Sequence, residues 1–158
     1  PTELMQRAKL KGVDVMALTD HDSIDGIATA ACEAKKLGLA FIPRVEISVR
    51  WKTYEIHIVG LNIDPQSETL CEGLLSQQKK RHQRMDRIIQ NMEQAKLSGA
   101  RKAILDSAAG RPPGRPLAAH FLVENKHCET YDEAYKELSR GGKYFAETEW
   151  EYMQYAVH

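Results

Sequence analysis

Three groups of residues combine side-chain types and spacing that chemistry could use. Thr19-Asp20-His21-Asp22 sets an imidazole between two carboxylates, so His21 could bind a metal ion while Asp20 or Asp22 orients its ring or adds charge. Glu46 lies in the otherwise apolar run Ile42-Pro43-Arg44-Val45-Glu46-Ile47-Ser48, where an unpaired buried carboxylate costs several kcal/mol and demands a cation or a hydrogen-bond donor. His57, between Ile56 and Ile58, poses the same demand. Each has a plainer explanation: Asp22 or Ser23 capping the next helix, Glu46 paired with Arg44 or Arg50, His57 a satisfied core histidine. Taken together the three point to a metal centre.

The elements around them would have to bring these residues together. Leu4, Met5 and Ala8 mark a first helix, with Thr2 as its expected N-cap and Gly12 as its end. Val13 to Leu18 reads as a short buried strand, Ile24 to Leu37 as a helix closed by Gly38, and Ala40 to Ile42 as another short strand. Strand, polar loop, helix and strand form a parallel βαβ unit, with chemistry expected at the carboxyl ends of its strands. Thr19 to Asp22 occupies such an end. Val45 to Leu61 predicts a hairpin around Trp51 to Tyr54; with Lys52-Thr53 as the loop, Trp51 lies opposite Tyr54, Ser48 opposite His57 and Glu46 opposite Val59, whereas a three-residue loop would turn one strand over. Alternation then sets Glu46, Ser48, Arg50, Glu55 and His57 on one face, with Glu46 and His57 as diagonal neighbours within about 7 Å.

Beyond Pro65 the pattern becomes helical. Ser67 is the expected N-cap of a long charged helix reaching Lys96, and shorter helices are expected at about Leu117 to Asn125 and Tyr131 to Arg140, after the Gly99 and Gly110-to-Gly114 breakers. The expected division is a barrel portion at 1–64, a helical insertion or cap at 65–140 and a return to the barrel at 141–158. Arg81, Arg84 and Arg87 fall near one helix face and could clamp a phosphate, although a solvated face is the commoner outcome. His120 could face a site; His82, His127 and His158 read as structural or solvated.

The 22 Lys and Arg residues balance 22 Asp and Glu, so no global field would gather DNA or an anionic membrane, and any phosphate contact must be local. Three widely spaced cysteines without a CxxC pair disfavour a disulfide framework or cysteine zinc site, and fit a reducing cytoplasm. A helix start at the first residues and an apolar helical pattern running to the last suggest a fragment.

TDHDSIDGI, then IPRVEIS, then YEIHIVGLNID, in this order and spacing, resemble the PHP family, the polymerase and histidinol phosphatase superfamily of metal-dependent phosphoesterases. The IHIVGLNID run, the helical insertion, HFLVE and Gly142-Lys143 are most similar to its nucleoside 3′,5′-bisphosphate phosphatases, some of which are 5′-to-3′ exoribonucleases. The resemblance implies an α/β fold, part of a distorted (β/α)7 barrel with a helical insertion. It also implies up to three divalent ions (Mn, Mg, Zn or Fe), with His21, Glu46 and His57 as ligands and Asp20 and His21 as catalytic residues. Arg115, Lys143 and His120 would be substrate contacts. The implied reaction is hydrolysis of a nucleotide phosphate monoester, or trimming of short RNA, by metal-activated water without a protein nucleophile.

Departures accompany the match. The family's opening His-x-His, a later His and a closing Asp-x-His pair are missing from this sequence, and His158 is out of register with the late histidine. Arg44 stands where the family usually has Gly before Val-Glu-Ile-Ser. Leu117 stands where relatives have the His of Arg-x-His. Two alternatives therefore accompany the leading reading: a phosphatase for another small ester such as histidinol phosphate, and a non-catalytic remnant acting as a binding module.

Overall fold

The computed structural model describes residues 1–110 and 112–157. They form two compact units, one of Pro1–Gln77 with the segment from Trp150 onward, the other of Gln78–Glu149.

In the first unit α1 (Thr2–Leu10) leads into β1 (Val15–Leu18), and α2 (Ile27–Leu37) returns the chain to β2 (Ala40–Trp51). Thr2 is the first helical residue and Pro1 takes the N-cap position without a side-chain cap, since the ring's fixed φ suits a helix start. Gly38 ends α2 in the left-handed region at φ 66°, as its lack of a Cβ permits. The two short strands expected over 40–51 are one twelve-residue strand. Pro43 does not interrupt it, because pairing with β3 (Tyr54–Leu61) begins only at Arg44. The missing N–H therefore falls where the ladder asks for none.

β1 pairs with β2 in parallel from Val15↔Ala40 to Leu18↔Pro43, and β2 pairs with β3 antiparallel from Arg44↔Leu61 to Trp51↔Tyr54. The resulting order is β1-β2-β3. One face of this sheet is covered: Leu18 and Leu39 join Met5, Ala8, Ala30 and Ala34 in a core, with Met16 and Phe41 against it. The other face presents Val15, Ile42, Val59 and Leu61 to solvent, from 38% to 63% exposed. The same face carries Arg44, Glu46, Ser48 and His57, so it mixes exposed apolar side chains with polar ones.

The long helix α3 (Glu68–Gln94) starts at Ser67, whose Oγ accepts the Leu70 N–H at 3.4 Å. The second unit contains the rest of α3, with α4 (Ala100–Ala108), α5 (Arg115–Glu124) and α6 (Tyr131–Glu137). Its core joins Met85, Ile88, Ile89 and Met92 of α3 to Ile104, Phe121, Leu122 and Leu138. Sequence reading passed over α4, although Gly99 before it and Ala100, Ile104 and Ala108 at helical spacing carry the signal. Thr130 caps α6 by accepting the Glu133 N–H. Near the carboxyl end, Met153–Tyr155 is a single 3-10 turn rather than a longer helix.

Candidate metal centre

The Thr19-to-Asp22 loop does not leave the sheet after β1. Glu46 N–H donates to the Asp20 carbonyl at 3.1 Å, and Asp22 N–H donates to the Glu46 carbonyl at 2.9 Å. His21 and Glu46 thereby form an isolated parallel bridge in the register that β1 and β2 already hold. Asp22 supplies the next link: its buried Oδ1 accepts the Ser48 N–H at 2.7 Å. A carboxylate here substitutes for the backbone carbonyl of a longer strand, and the φ of 51° at Asp22 turns the chain away towards α2. Asp and Asn enter this left-handed region more readily than most residues. The Gln77 side-chain amide donates to the Ser48 carbonyl, so both backbone polar groups of Ser48 are held.

The hairpin has the register expected from its sequence, with Ser48 opposite His57, Glu46 opposite Val59 and Lys52-Thr53 at the turn. Lys52 adopts a positive φ of 54° to make that turn. The consequence is geometric. His57 Nδ1 lies 2.6 Å from Glu46 Oε1, the distance of a charge-assisted hydrogen bond. His21 Nδ1 lies 3.8 Å from the same oxygen. The two imidazoles meet edge to face, with centroids 4.8 Å apart at 83°, and Glu55 Oε1 stands 3.9 Å from the other ring nitrogen of His57. One ligand atom from each of His21, Glu46 and His57 lies within 4.8 Å of the others.

Two imidazole nitrogens and a carboxylate oxygen so placed could share a divalent ion. The Glu46 side chain remains 27% exposed, so a ligand can approach from solvent. A mixed nitrogen and oxygen set suits several first-row metals and does not select among them. Asp20 is exposed and precedes His21 in the loop; a Cβ added at Gly26 would stand 3.4 Å from its Oδ2 and only 2.6 Å from Leu18 Cδ2. Gly26 therefore gives the loop room to pass.

The other candidates belong to the second unit. The Arg115 guanidinium lies 5.0 Å from the Tyr135 ring centroid, Tyr135 stacks on Tyr131 at 6.0 Å, and Tyr131 contacts the His120 ring at 5.3 Å. Arg115 and His120 thus end on one aromatic row, where burial, with Tyr135 beside it, pushes the Tyr131 hydroxyl up. Lys143 is apart from that row; its N–H donates to Glu137 Oε2 at 2.9 Å and its ammonium lies over Tyr144. The expected solvated arginine face fails at Arg84, which is buried at 7% exposure, whereas Arg87 is exposed and donates to the Glu147 carbonyl. His82 and His127 are exposed, as expected, with His82 Nδ1 against the Gln78 carbonyl. His158 lies outside the described residues. The contributions missed from sequence were the Asp22 clamp on Ser48 and its Gln77 counterpart. A polar Ser inside an apolar strand was their only local signal.

No family model matches the chain. It is 38% identical over 160 residues to the 5′-3′ exoribonuclease Rnm of Escherichia coli, covering 99% of this chain and 55% of that protein. It is also 40% identical over 99 residues to a 3′,5′-nucleoside bisphosphate phosphatase of Chromobacterium violaceum, covering 63% of this chain and 35% of that protein. Among solved structures, an amidohydrolase from C. violaceum with bound sulfate and no metal superposes with a TM-score of 0.91 at 31% identity, over 99% of this chain and 56% of the other. A protein assigned as a metal-dependent phosphoesterase from Bifidobacterium adolescentis gives 0.90 at 22% identity over the same shares, a likeness of fold alone. The chain spans about half the length of the curated relatives it matches. Over that half the chain is similar to proteins named as exoribonucleases and a nucleoside bisphosphate phosphatase, and its mixed α/β fold matches the solved structures, in line with the phosphoesterase resemblance of its motifs.

Proposed function

We propose that this chain forms part of a divalent-metal phosphoesterase acting on nucleotides, with nucleoside 3′,5′-bisphosphates or the 5′ ends of short RNA as substrates. The observation that carries the reading is the His21, Glu46 and His57 cluster in a chain homologous to proteins with those activities. His21, Glu46 and His57 would hold the ion. A divalent ion bound there supplies positive charge for the phosphoryl oxygens and favours ionisation of water near neutral pH.

The chain's own groups then have separate tasks. Asp22 and Gln77 immobilise the Ser48 backbone, so the loop and the hairpin keep their spacing. Glu46 holds His57 in one orientation, which fixes the nitrogen it offers. Asp20 and His21 are proposed as the residues that accept or return a proton. Arg115, His120 and Lys143 are proposed as phosphate and base contacts, and the segment 65–140 as a cap over a barrel formed by 1–64 and 141–158. Completion of a (β/α)7 barrel is supported by the exposure of Val15, Ile42, Val59 and Leu61 beside the cluster on one sheet face, the face that would line a barrel interior.

The test is a phosphate-ester panel with added Mn, run on the protein that carries this chain: adenosine 3′,5′-bisphosphate, a 5′-phosphorylated short RNA and histidinol phosphate. Release of phosphate or nucleotide from the first two, lost in His57→Ala, is the expected result. Preference for histidinol phosphate would overturn the substrate class, and absence of metal binding would overturn the reading as a whole.

A further inference from the structure

We infer that Arg44 is a specificity-determining residue of this site, a cation that recognises a second phosphate on the substrate; this inference rests on the function proposed above. Strand alternation places Arg44 on the same face of β2 as Glu46, two residues and about 6.6 Å along the strand. A flexible arginine side chain spans that distance. The carboxylate nearest in the strand does not engage it: the partners of Glu46 are His57 and His21. Among the described residues no ion pair or hydrogen bond involves the Arg44 side chain, and its Nε is buried without a partner. An arginine in that condition lacks the acceptor that would offset its desolvation.

The surroundings indicate what kind of acceptor is missing. Across the ladder Arg44 faces Leu61, and the adjacent pair joins Glu46 to Val59. Leu61 and Val59 are 63% and 43% exposed, so a cation, an apolar shelf and the metal-ligating carboxylate lie side by side on one sheet face. A phosphate held at His21, Glu46 and His57 would leave a second phosphate, one ribose away, within the reach of a guanidinium that can grip it with two parallel hydrogen bonds. The shelf offers a dry surface to the sugar or base. A substrate with one phosphate would leave Arg44 unpaired, so the residue selects for two.

Binding rather than turnover is the measurement. The full chain, saturated with Mn, is titrated calorimetrically with adenosine 3′,5′-bisphosphate and with adenosine 5′-monophosphate, alongside Arg44→Met and Arg44→Lys. Arg44→Met should weaken the bisphosphate about 10- to 100-fold, as loss of a charge-assisted contact does, and leave the monophosphate and Mn affinities unchanged. Arg44→Lys should recover part of the preference, because the charge returns without the bidentate geometry; it also serves as the readout if the Met variant does not fold. An unaltered ratio of bisphosphate to monophosphate affinity in the folded variants overturns the role of Arg44 while leaving the phosphoesterase reading intact. Failure of the wild-type chain to bind either nucleotide in the presence of Mn overturns both.

Discussion

Glu46 Oε1 stands 2.6 Å from His57 Nδ1 across a hairpin that turns at Lys52-Thr53. The two side chains are diagonal rather than directly opposed, because Glu46 pairs with Val59 and His57 with Ser48. His21 reaches the same oxygen from the parallel side of β2. If these three hold a metal ion, Glu46→Gln should weaken Mn binding by at least about tenfold, since the amide keeps the shape but loses the charge that favours a cation. Mn titration monitored by electron paramagnetic resonance, with circular dichroism to confirm folding, checks this. Undiminished affinity would remove Glu46 from the ligand set.

Asp22 predicts a stability effect without a direct catalytic role. Its buried carboxylate accepts the Ser48 N–H, and Asp22→Ala leaves that donor without its acceptor, at a cost of about 1–3 kcal/mol. Alanine also tolerates the positive φ at this position less well than aspartate. Asp22→Asn retains an acceptor oxygen and should cost less than the alanine change. Urea unfolding of the two variants orders them; equal midpoints would show that the clamp contributes nothing.

Gly142 offers a steric test in the other unit. A Cβ there would press on the backbone carbonyl oxygens of Lys136 and Glu137 at the end of α6, and backbone cannot swing aside as a side chain can. Gly142→Ala should destabilise that unit by at least about 1–3 kcal/mol. By contrast Gly73→Ala, where an added Cβ meets nothing within 4 Å, should be neutral or slightly stabilising, as it lies within helix α3. Thermal melts of both variants make the comparison, and a neutral Gly142→Ala would contradict the packing.

The cysteines should differ in reactivity. Burial, reinforced by Glu133 and Glu137, pushes the Cys128 thiol up, so at neutral pH less of it is thiolate than at an ordinary cysteine and its alkylation should gain speed only at more alkaline pH. Cys32 is exposed. Peptide mapping after brief iodoacetamide treatment at pH 7.5 should find Cys32 modified well before Cys128. The reverse order would show that access to Cys128, or its local charge, is not as described.

Sequence alone determined the local pieces of this protein. The polar loop after an apolar strand, the two-residue turn and alternation along β2 and β3 were enough to put Glu46 and His57 on one face, because strand periodicity and turn length are properties of neighbouring residues. The caps at Gly38 and Ser67 were legible for the same reason. Motif resemblance added an expected family of metal-dependent phosphoesterases, and the similar proteins agree with it over the half of their length that the chain spans. What tertiary structure decided was the third side of the cluster. Only the continuation of the β1–β2 register through the loop, made by hydrogen bonds between residues 20–22 and 46–48, sets His21 beside Glu46. Those bonds join segments about two dozen residues apart, and no local pattern specifies them. The single strand through Pro43 and the burial of Arg84 were decided the same way, by which neighbour each backbone or side chain met once the elements had packed.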